Sequence, residues 1–505
     1  MSYSRRQLLR GSAALIAAPW LLRDARAADT TRFALGIASG HPHAAGMVLW
    51  TRLSGADLPE RVPVRWEMAH DEGFRQIAAR GTEWAEAASA HSVHAEPASL
   101  APGRWYWYRF EALGQRSAAG RTRTAPAAGS EATLQFAITS CQRWDVGHYA
   151  AWRHAADDNL DLIIFLGDYI YENTSKPGAL RAAPGPVVKT LAEYRARYAL
   201  HKSDPALQAA HAAAPWLMVW DDHEVENDYA GLQGNALQAD FAQQRAAAYQ
   251  AYWEHMPFPK SARPRGAEMR ITGRLDWGRL ARIHLLDDRQ YRDPQACPKP
   301  GQGGASTVFE RDCTALHDPA RTLLGAPQER WLTEGWDASR PWNLVAQQTL
   351  MARYSWRDPA SGGGQYWTDG WDGYPAARQR LLNSIAERRV PGVVVLGGDV
   401  HSNYVADLKL NFDDAAAAPI ATEFCGTSIT SLGVAQDRID AARGFNPHVH
   451  YGRSDQRGYM RFALDRGGLQ AALRVVGQPE NAASGITTAA RFFVDPARPG
   501  AVPAG

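Results

Sequence analysis

The sequence is poor in cysteine, has no long apolar run beyond its first two dozen residues, and carries almost no net charge. Its 505 residues include only four cysteines, Cys141, Cys297, Cys313 and Cys425. There is no Cys-x-x-Cys pair, and the spacing excludes a pure zinc finger. No Gly-x-Ser-x-Gly elbow is present, so nothing points to a protein nucleophile of that kind. With a formal charge of +2, nothing points to nucleic acid. No segment after the first has the uninterrupted apolar length of a membrane helix, and no internal repeat is visible. What is present is 45% hydrophobic residues, enough for real cores, with 18 tryptophans, 44 glycines and 30 prolines. That composition favours strands and turns over a helical bundle, and the length allows roughly two to four domains.

The first segment stands apart. Ser4-Arg5-Arg6-Gln7-Leu8-Leu9-Arg10 resembles a twin-arginine export pattern. A short apolar run from Gly11 to Leu22 and a small-residue cleavage site at Ala25-Arg26-Ala27 follow it. Residues 1–27 are therefore expected to be a twin-arginine signal peptide, which makes the export machinery a partner and the location periplasmic or secreted. Its removal takes away five arginines and one aspartate, moving the formal charge from +2 to −2. Outside the cytoplasm disulfides persist. Cys297 and Cys313, near each other in a Pro/Gly/Ser-rich loop, read as a disulfide staple, whereas Cys141 and Cys425 sit beside apolar strand-like runs.

Residues 28–126 read as a small N-terminal β-sandwich. Val62 to Met68 alternates, Trp105 to Phe110 is an aromatic-rich strand, and no amphipathic helix interrupts them. After the linker Ala125-Pro126-Ala127-Ala128-Gly129-Ser130, strands alternate with helices from 131 to 485. The fold class expected is α/β, a small β-sandwich followed by an α/β sandwich with its site at the strand C-terminal ends. Residues 486–505, rich in Ala, Pro and Gly, read as a C-terminal tail.

One arrangement recurs. Four apolar strands end in Cys141, in Asp168 with Tyr171, in Asp222 with His223, and in Asp399 with His401. A lone strand–Gly–Asp such as Gly167-Asp168 reads first as a loop cap. Four such endings on alternating units read instead as one metal site at one sheet edge, where the reactive groups of a parallel sheet converge. A phenolate and a thiolate beside carboxylates suit a trivalent iron, and the surrounding acids suit a second, divalent cation. Two metals sharing a bridging carboxylate can clamp the attacking and leaving oxygens of a phosphoryl transfer, and Asp168 is placed to be that bridge.

The chain from Phe33 to about Gly433 resembles the PhoD-type alkaline phosphatases of the calcineurin-like metallophosphoesterase superfamily. Ser140-Cys141-Gln142, Gly167-Asp168-Tyr169-Ile170-Tyr171-Glu172, Trp220-Asp221-Asp222-His223-Glu224 and Gly398-Asp399-Val400-His401-Ser402-Asn403 carry the resemblance. It implies a Fe3+–Ca2+ site. Cys141, Asp168, Tyr171 and His401 would hold the iron; Asp168 would bridge to calcium, with Asp222 and Asp399 completing that side. Asp222 and Asp399 stand where the wider superfamily usually has neutral donors, and the added carboxylates favour a hard cation such as Ca2+.

The resemblance implies that His223 faces the substrate, stabilising the transition state or protonating the leaving oxygen; the plain reading is a core histidine. Asp221 joins the catalytic set as an orienting acid or a calcium ligand. Glu224 either positions His223 or accepts backbone hydrogen bonds. Arg289 either grips a phosphate oxygen or is neutralised by Asp287 or Asp288. The activity implied is hydrolysis of phosphate monoesters or diesters by a metal-bound hydroxide, with phospholipase D-like diester cleavage as the alternative. An exported metal- or phosphate-binding protein would leave His223 without a role.

Overall fold

The computed structural model describes residues 32–504. The export-signal expectation for residues 1–27 lies outside the described residues. Two large sheets pack face to face. In the first, Leu162–Leu166 pairs in parallel with Leu134–Thr139 on one side and Trp216–Val219 on the other. In the second, Trp342–Ala346 lies in parallel between Ala281–Leu285 and Val393–Gly397.

The alternation of strand residues explains the layering. Val394 and Leu396 point into the core shared with Phe136, Ile138 and Ile164 of the other sheet. Val393 and Val395 face outward onto Leu382 and Ile385 of the helix Pro375–Arg388. On the opposite side, Trp152 of the helix Ala150–Asp157 and Tyr249 and Tyr252 of Phe241–His255 join the central core. Strands buried on both faces are read as continuous apolar runs, as Leu162–Leu166 is.

The N-terminal region is a sandwich, but one of its layers is shared. Arg61–Ala69, Ile77–Glu86 and Trp105–Ala112 form one sheet with two short strands. Ile37–His43, Gly46–Arg52 and Ser92–Ala95 extend the first, ten-stranded sheet beyond Trp216–Val219. Leu49, Val64, Tyr106 and Phe110 close the core between the layers. The sheet therefore runs across the expected boundary at residue 126.

The expected tail at residues 486–505 is corrected. Ile486–Asp495 and Arg498–Pro503 are the last two strands at the far edge of the same sheet. Phe492, Val494 and Ala501 turn into the main core, so period-two burial, rather than helical pattern, organises this stretch. A hairpin across Asp465-Arg466-Gly467-Gly468 joins Gly458–Leu464 to Leu469–Val476. Among the described residues no helix is long and apolar enough to cross a membrane.

Candidate metal centre

The C-terminal ends of the parallel strands meet where an isolated bridge, Ser140 to Ser428, links the two sheets. Four residues there hold left-handed backbone, Cys141 (φ 57°), Asp168 (φ 60°), Asp399 (φ 61°) and His401 (φ 52°). Such angles cost a non-glycine residue roughly 1–2 kcal/mol, and their clustering at strand ends marks a site that the fold enforces. Gly167 (φ 102°) makes the turn possible, since a Cβ there would lie 2.4 Å from Cβ of Asp221.

Ligating atoms of Cys141, Asp168 and His401 lie within 4.8 Å of one another, as do those of Asp168, Asp222 and His223, and those of Asp221, Asp222 and Asp399. Asp168 belongs to two of these groups. Tyr171 donates its hydroxyl to Asp168 Oδ2 at 2.8 Å and lies 3.2 Å from His401 Nε2; Ser431 donates to it at 2.7 Å. His401 Nδ1 sits 2.8 Å from the Leu432 carbonyl. A carbonyl only accepts, so Nδ1 carries the proton and Nε2 is the free donor atom. All six residues expected to bind metal thus converge.

The electrostatics fit cations. Burial, reinforced by neighbouring acids, pushes Asp168 and Asp399 well above the carboxylate range. Burial likewise raises Cys141 and Tyr171, with Asp168 adding to both. Asp222 goes the other way: burial opposes its ionisation, but Arg289 and His223 outweigh it. Burial pushes His401 down to about 4, which keeps its imidazole neutral and able to ligate. Thiolate, phenolate and several carboxylates can be anionic together at such a buried spot only with compensating positive charge.

His223 lines the cleft. Its Nδ1 lies 2.6 Å from Glu172 Oε2, so it donates to that carboxylate, and its ring centroid is 4.1 Å from that of Tyr171. Burial works against its charge, but Glu172, Asp222 and Asp168 raise its pKa well above the usual histidine value. Glu172, not Glu224, positions this ring. Glu224 instead accepts from the backbone N–H groups of Asp168 (3.0 Å), Tyr169 (2.5 Å) and Asp221 (2.7 Å), tying two strand ends together.

The expectation that Arg289 grips phosphate is corrected. Its side chain is 1% exposed and ion-pairs with Asp221 and, at 2.7 Å, with Asp369. Its Nη2 stands 3.8 Å from Asp222 and 3.9 Å from Asp399. The strand carrying it ends behind the ligands, so the guanidinium neutralises their acids from beneath. Its partners are also not the neighbours foreseen, since Asp287 accepts only its backbone N–H. Asp221 shares this buried position and does not line the cleft; its Oδ2 has no hydrogen-bond partner and lies in the group with Asp222 and Asp399, so it could either orient the ligands or join them. Asp369, which holds Arg289, Arg292 and Gln295 at once, was missed because the strand it follows, Gln365–Trp367, is only three residues long and is no apolar run. Glu172 stood in the same motif as Asp168, and its spacing alone gave no role. Cys297 and Cys313 are disulfide-bonded, and Cys141 and Cys425 are free and buried.

The cleft above the ligands has a volume of about 460 Å3 and is walled on one side by Asp168, Asp222, Asp399 and His223. A double α/β sandwich with acids and histidines gathered at its strand ends defines a metallophosphoesterase-type hydrolase. Residues 136–473 match the model of the PhoD-like phosphatase family, and residues 17–126 that of the PhoD-like phosphatase N-terminal domain. The chain is 41% identical over 479 residues to alkaline phosphatase D of Bacillus subtilis (strain 168), covering 91% of this chain and 80% of that protein. A solved structure of PhoD superposes with a TM-score of 0.88 at 39% identity, covering 95% of this chain and 94% of the other. A purple acid phosphatase from yellow lupin (Lupinus luteus) seeds shares the fold, with a TM-score of 0.56 at 10% identity over 91% of this chain and 74% of its own. The chain belongs to the PhoD-like phosphatase family and is an alkaline phosphatase D-like phosphoric ester hydrolase.

Proposed function

We propose that the protein is exported and hydrolyses phosphate monoesters or diesters at a Fe3+–Ca2+ pair. Cys141, Tyr171 and His401 would hold the ferric ion with Asp168, and Asp222 and Asp399 would hold calcium on the other side of the same carboxylate. The observation that carries this reading is the double membership of Asp168, within reach of both the Cys141–His401 group and the Asp222–His223 group. The metals, when bound, supply the charge that activates water near neutral pH and polarises the phosphoryl oxygens.

The chain's own residues do the rest. Glu172 fixes the His223 ring by taking its Nδ1 proton in a hydrogen bond, leaving Nε2 to donate to a phosphoryl or leaving-group oxygen in the cleft. The anions around His223 favour its protonated form, as a general acid requires. Arg289, held by Asp221 and Asp369, keeps the acidic ligands fixed and partly neutralised before substrate arrives. Tyr171 packs against His223 and couples the iron side to the acid side.

Protein made through its own export route and analysed for metals should contain iron and calcium and show a visible charge-transfer band. Tyr171→Phe should remove most of that band and lower turnover. Zinc without iron, or unchanged colour and rate in Tyr171→Phe, would refute the ferric assignment. A panel of monoester, diester and phospholipid substrates assigns the ester class; a diester rate far above the monoester rate would displace the monoesterase reading.

A further inference from the structure

We infer that the outer half of the cleft is a subsite for a planar aromatic ring carried by the alcohol of the phosphate ester, recognised by Trp356 and Arg438. This rests on the phosphatase reading above and adds the substrate class to it.

The cleft has two chemically unlike walls. Beside the carboxylates and histidines, Tyr354, Trp356 and Trp367 line it. Trp367 ends the short strand Gln365–Trp367, and the Trp356 backbone N–H donates to the Gln365 carbonyl at 2.9 Å, which ties the segment carrying Trp356 to that strand. Tyr354 meets Trp356 edge-on, with centroids 4.9 Å apart. Both tryptophans are only half-buried, so each keeps ring surface for a ligand to cover.

Arg438 supplies the second observation. Among the described residues it is the one arginine or lysine on the cleft wall. Its guanidinium stands 4.1 Å from the Trp356 ring centroid rather than on a carboxylate. Arg289 is buried and paired with acids, and Arg143, 5.7 Å from the Tyr171 ring centroid, is paired with Asp145. The outer cleft therefore offers flat apolar surface with a free cation beside it, which suits an electron-rich ring. Leu432, at 63% exposure, continues this apolar edge, and its own carbonyl holds the His401 ring. The subsite is thus contiguous with the ligand shell. A small polyol ester would meet only the acidic wall and leave the aromatic one in water, whereas an aryl or nucleoside ester covers both. A volume of about 460 Å3 is ample for such a ligand.

The test uses uncleavable phosphonates, so that binding is read apart from turnover. Benzylphosphonate and methylphosphonate are titrated calorimetrically into the metal-loaded wild type, Trp356→Leu and Arg438→Gln. Benzylphosphonate should bind the wild type about tenfold tighter, as expected for one added aromatic contact. That advantage should shrink to about twofold in each variant that folds. Arg438 is exposed, so Arg438→Gln carries the test if Trp356→Leu does not fold. Equal affinities in the wild type, or an undiminished advantage in Arg438→Gln, would overturn the proposal. Loss of ester turnover with the binding preference intact would count against the phosphatase reading instead.

Discussion

Replacing Arg289 with methionine separates a residue that builds the site from one that touches substrate. The guanidinium is 1% exposed and compensates two buried carboxylates, Asp221 and Asp369. Breaking a buried ion pair by removing one partner costs about 3–5 kcal/mol, because the other charge stays behind uncompensated. Asp369 keeps Arg292 and Gln295, the latter at 2.7 Å, so the deficit falls mainly on Asp221, whose second oxygen already lacks a partner. The lower end of the range, about 3 kcal/mol, is therefore expected. Adding Asp221→Asn removes the orphaned charge and should restore most of that loss, a coupling of about 2 kcal/mol in a double-mutant cycle. Urea unfolding of the metal-loaded proteins measures both quantities, and KM for a phosphate ester measures substrate contact. If Arg289→Met kept wild-type stability while KM rose about tenfold, the guanidinium would be a phosphate clamp and the reasoning would fail.

Three further outcomes can be checked directly. Cys297→Ala removes a bridge spanning 16 residues and should lower stability by about 3 kcal/mol; an unchanged melting curve would show that the loop is held without it. Lys202, 1% exposed beneath Trp50 and Tyr169, is pushed down by burial to about 7. Its folded value lies below its unfolded value, so the unfolded chain binds the extra proton between pH 7 and 10.5. Stability should rise with pH across that window and level off below it, with about 5 kcal/mol as an upper bound. Lys202→Met should flatten the rise and be more stable at pH 7; an unaltered pH profile would refute this. Glu172→Gln removes the anion that keeps His223 protonated, so the alkaline limb of the pH–rate profile should move to lower pH, with kcat down about tenfold. A limb that stays in place would leave Glu172 with only its bond to the Asn227 backbone N–H.

Much of this architecture was legible because buried parallel strands announce themselves. Leu162–Leu166 and Val393–Gly397 are unbroken apolar runs, and each ends in a polar residue that a strand interior would not tolerate. Reading those endings together located Cys141, Asp168, Tyr171, Asp222, Asp399 and His401 before any geometry was known. Partnership was less legible. Arg289 lies next to Asp287 and Asp288 in sequence, yet it pairs with Asp221 and Asp369, 68 and 80 positions away. Of the two readings of Glu224, acceptance of backbone hydrogen bonds holds, and the positioning of His223 falls to Glu172, because two acids near one histidine look alike until backbone donors are placed around them. The last two strands escaped notice because Ala, Pro and Gly lower the apparent strand propensity, while Phe492 and Val494 still alternate inward.

The backbone angles and the charges at the strand ends express one requirement. Left-handed turns at Cys141, Asp168, Asp399 and His401 aim their side chains into one volume instead of along the strand direction, and each carries a conformational penalty. The same turns crowd Asp168, Asp222 and Asp399 against a thiol and a phenol, a second penalty of desolvation and repulsion. Arg289 offsets part of it from beneath, with its four carboxylate neighbours within 4 Å. It cannot reach Cys141 or Tyr171, which face the other group of donors. On that side the nearest guanidinium over the ring of Tyr171 is that of Arg143, 5.7 Å from its centroid, and burial raises both the thiol and the phenol. A fold that keeps a rigid backbone, a buried arginine and an acid-rich shell in place spends stability on geometry, and cations held by the two donor groups would offset it.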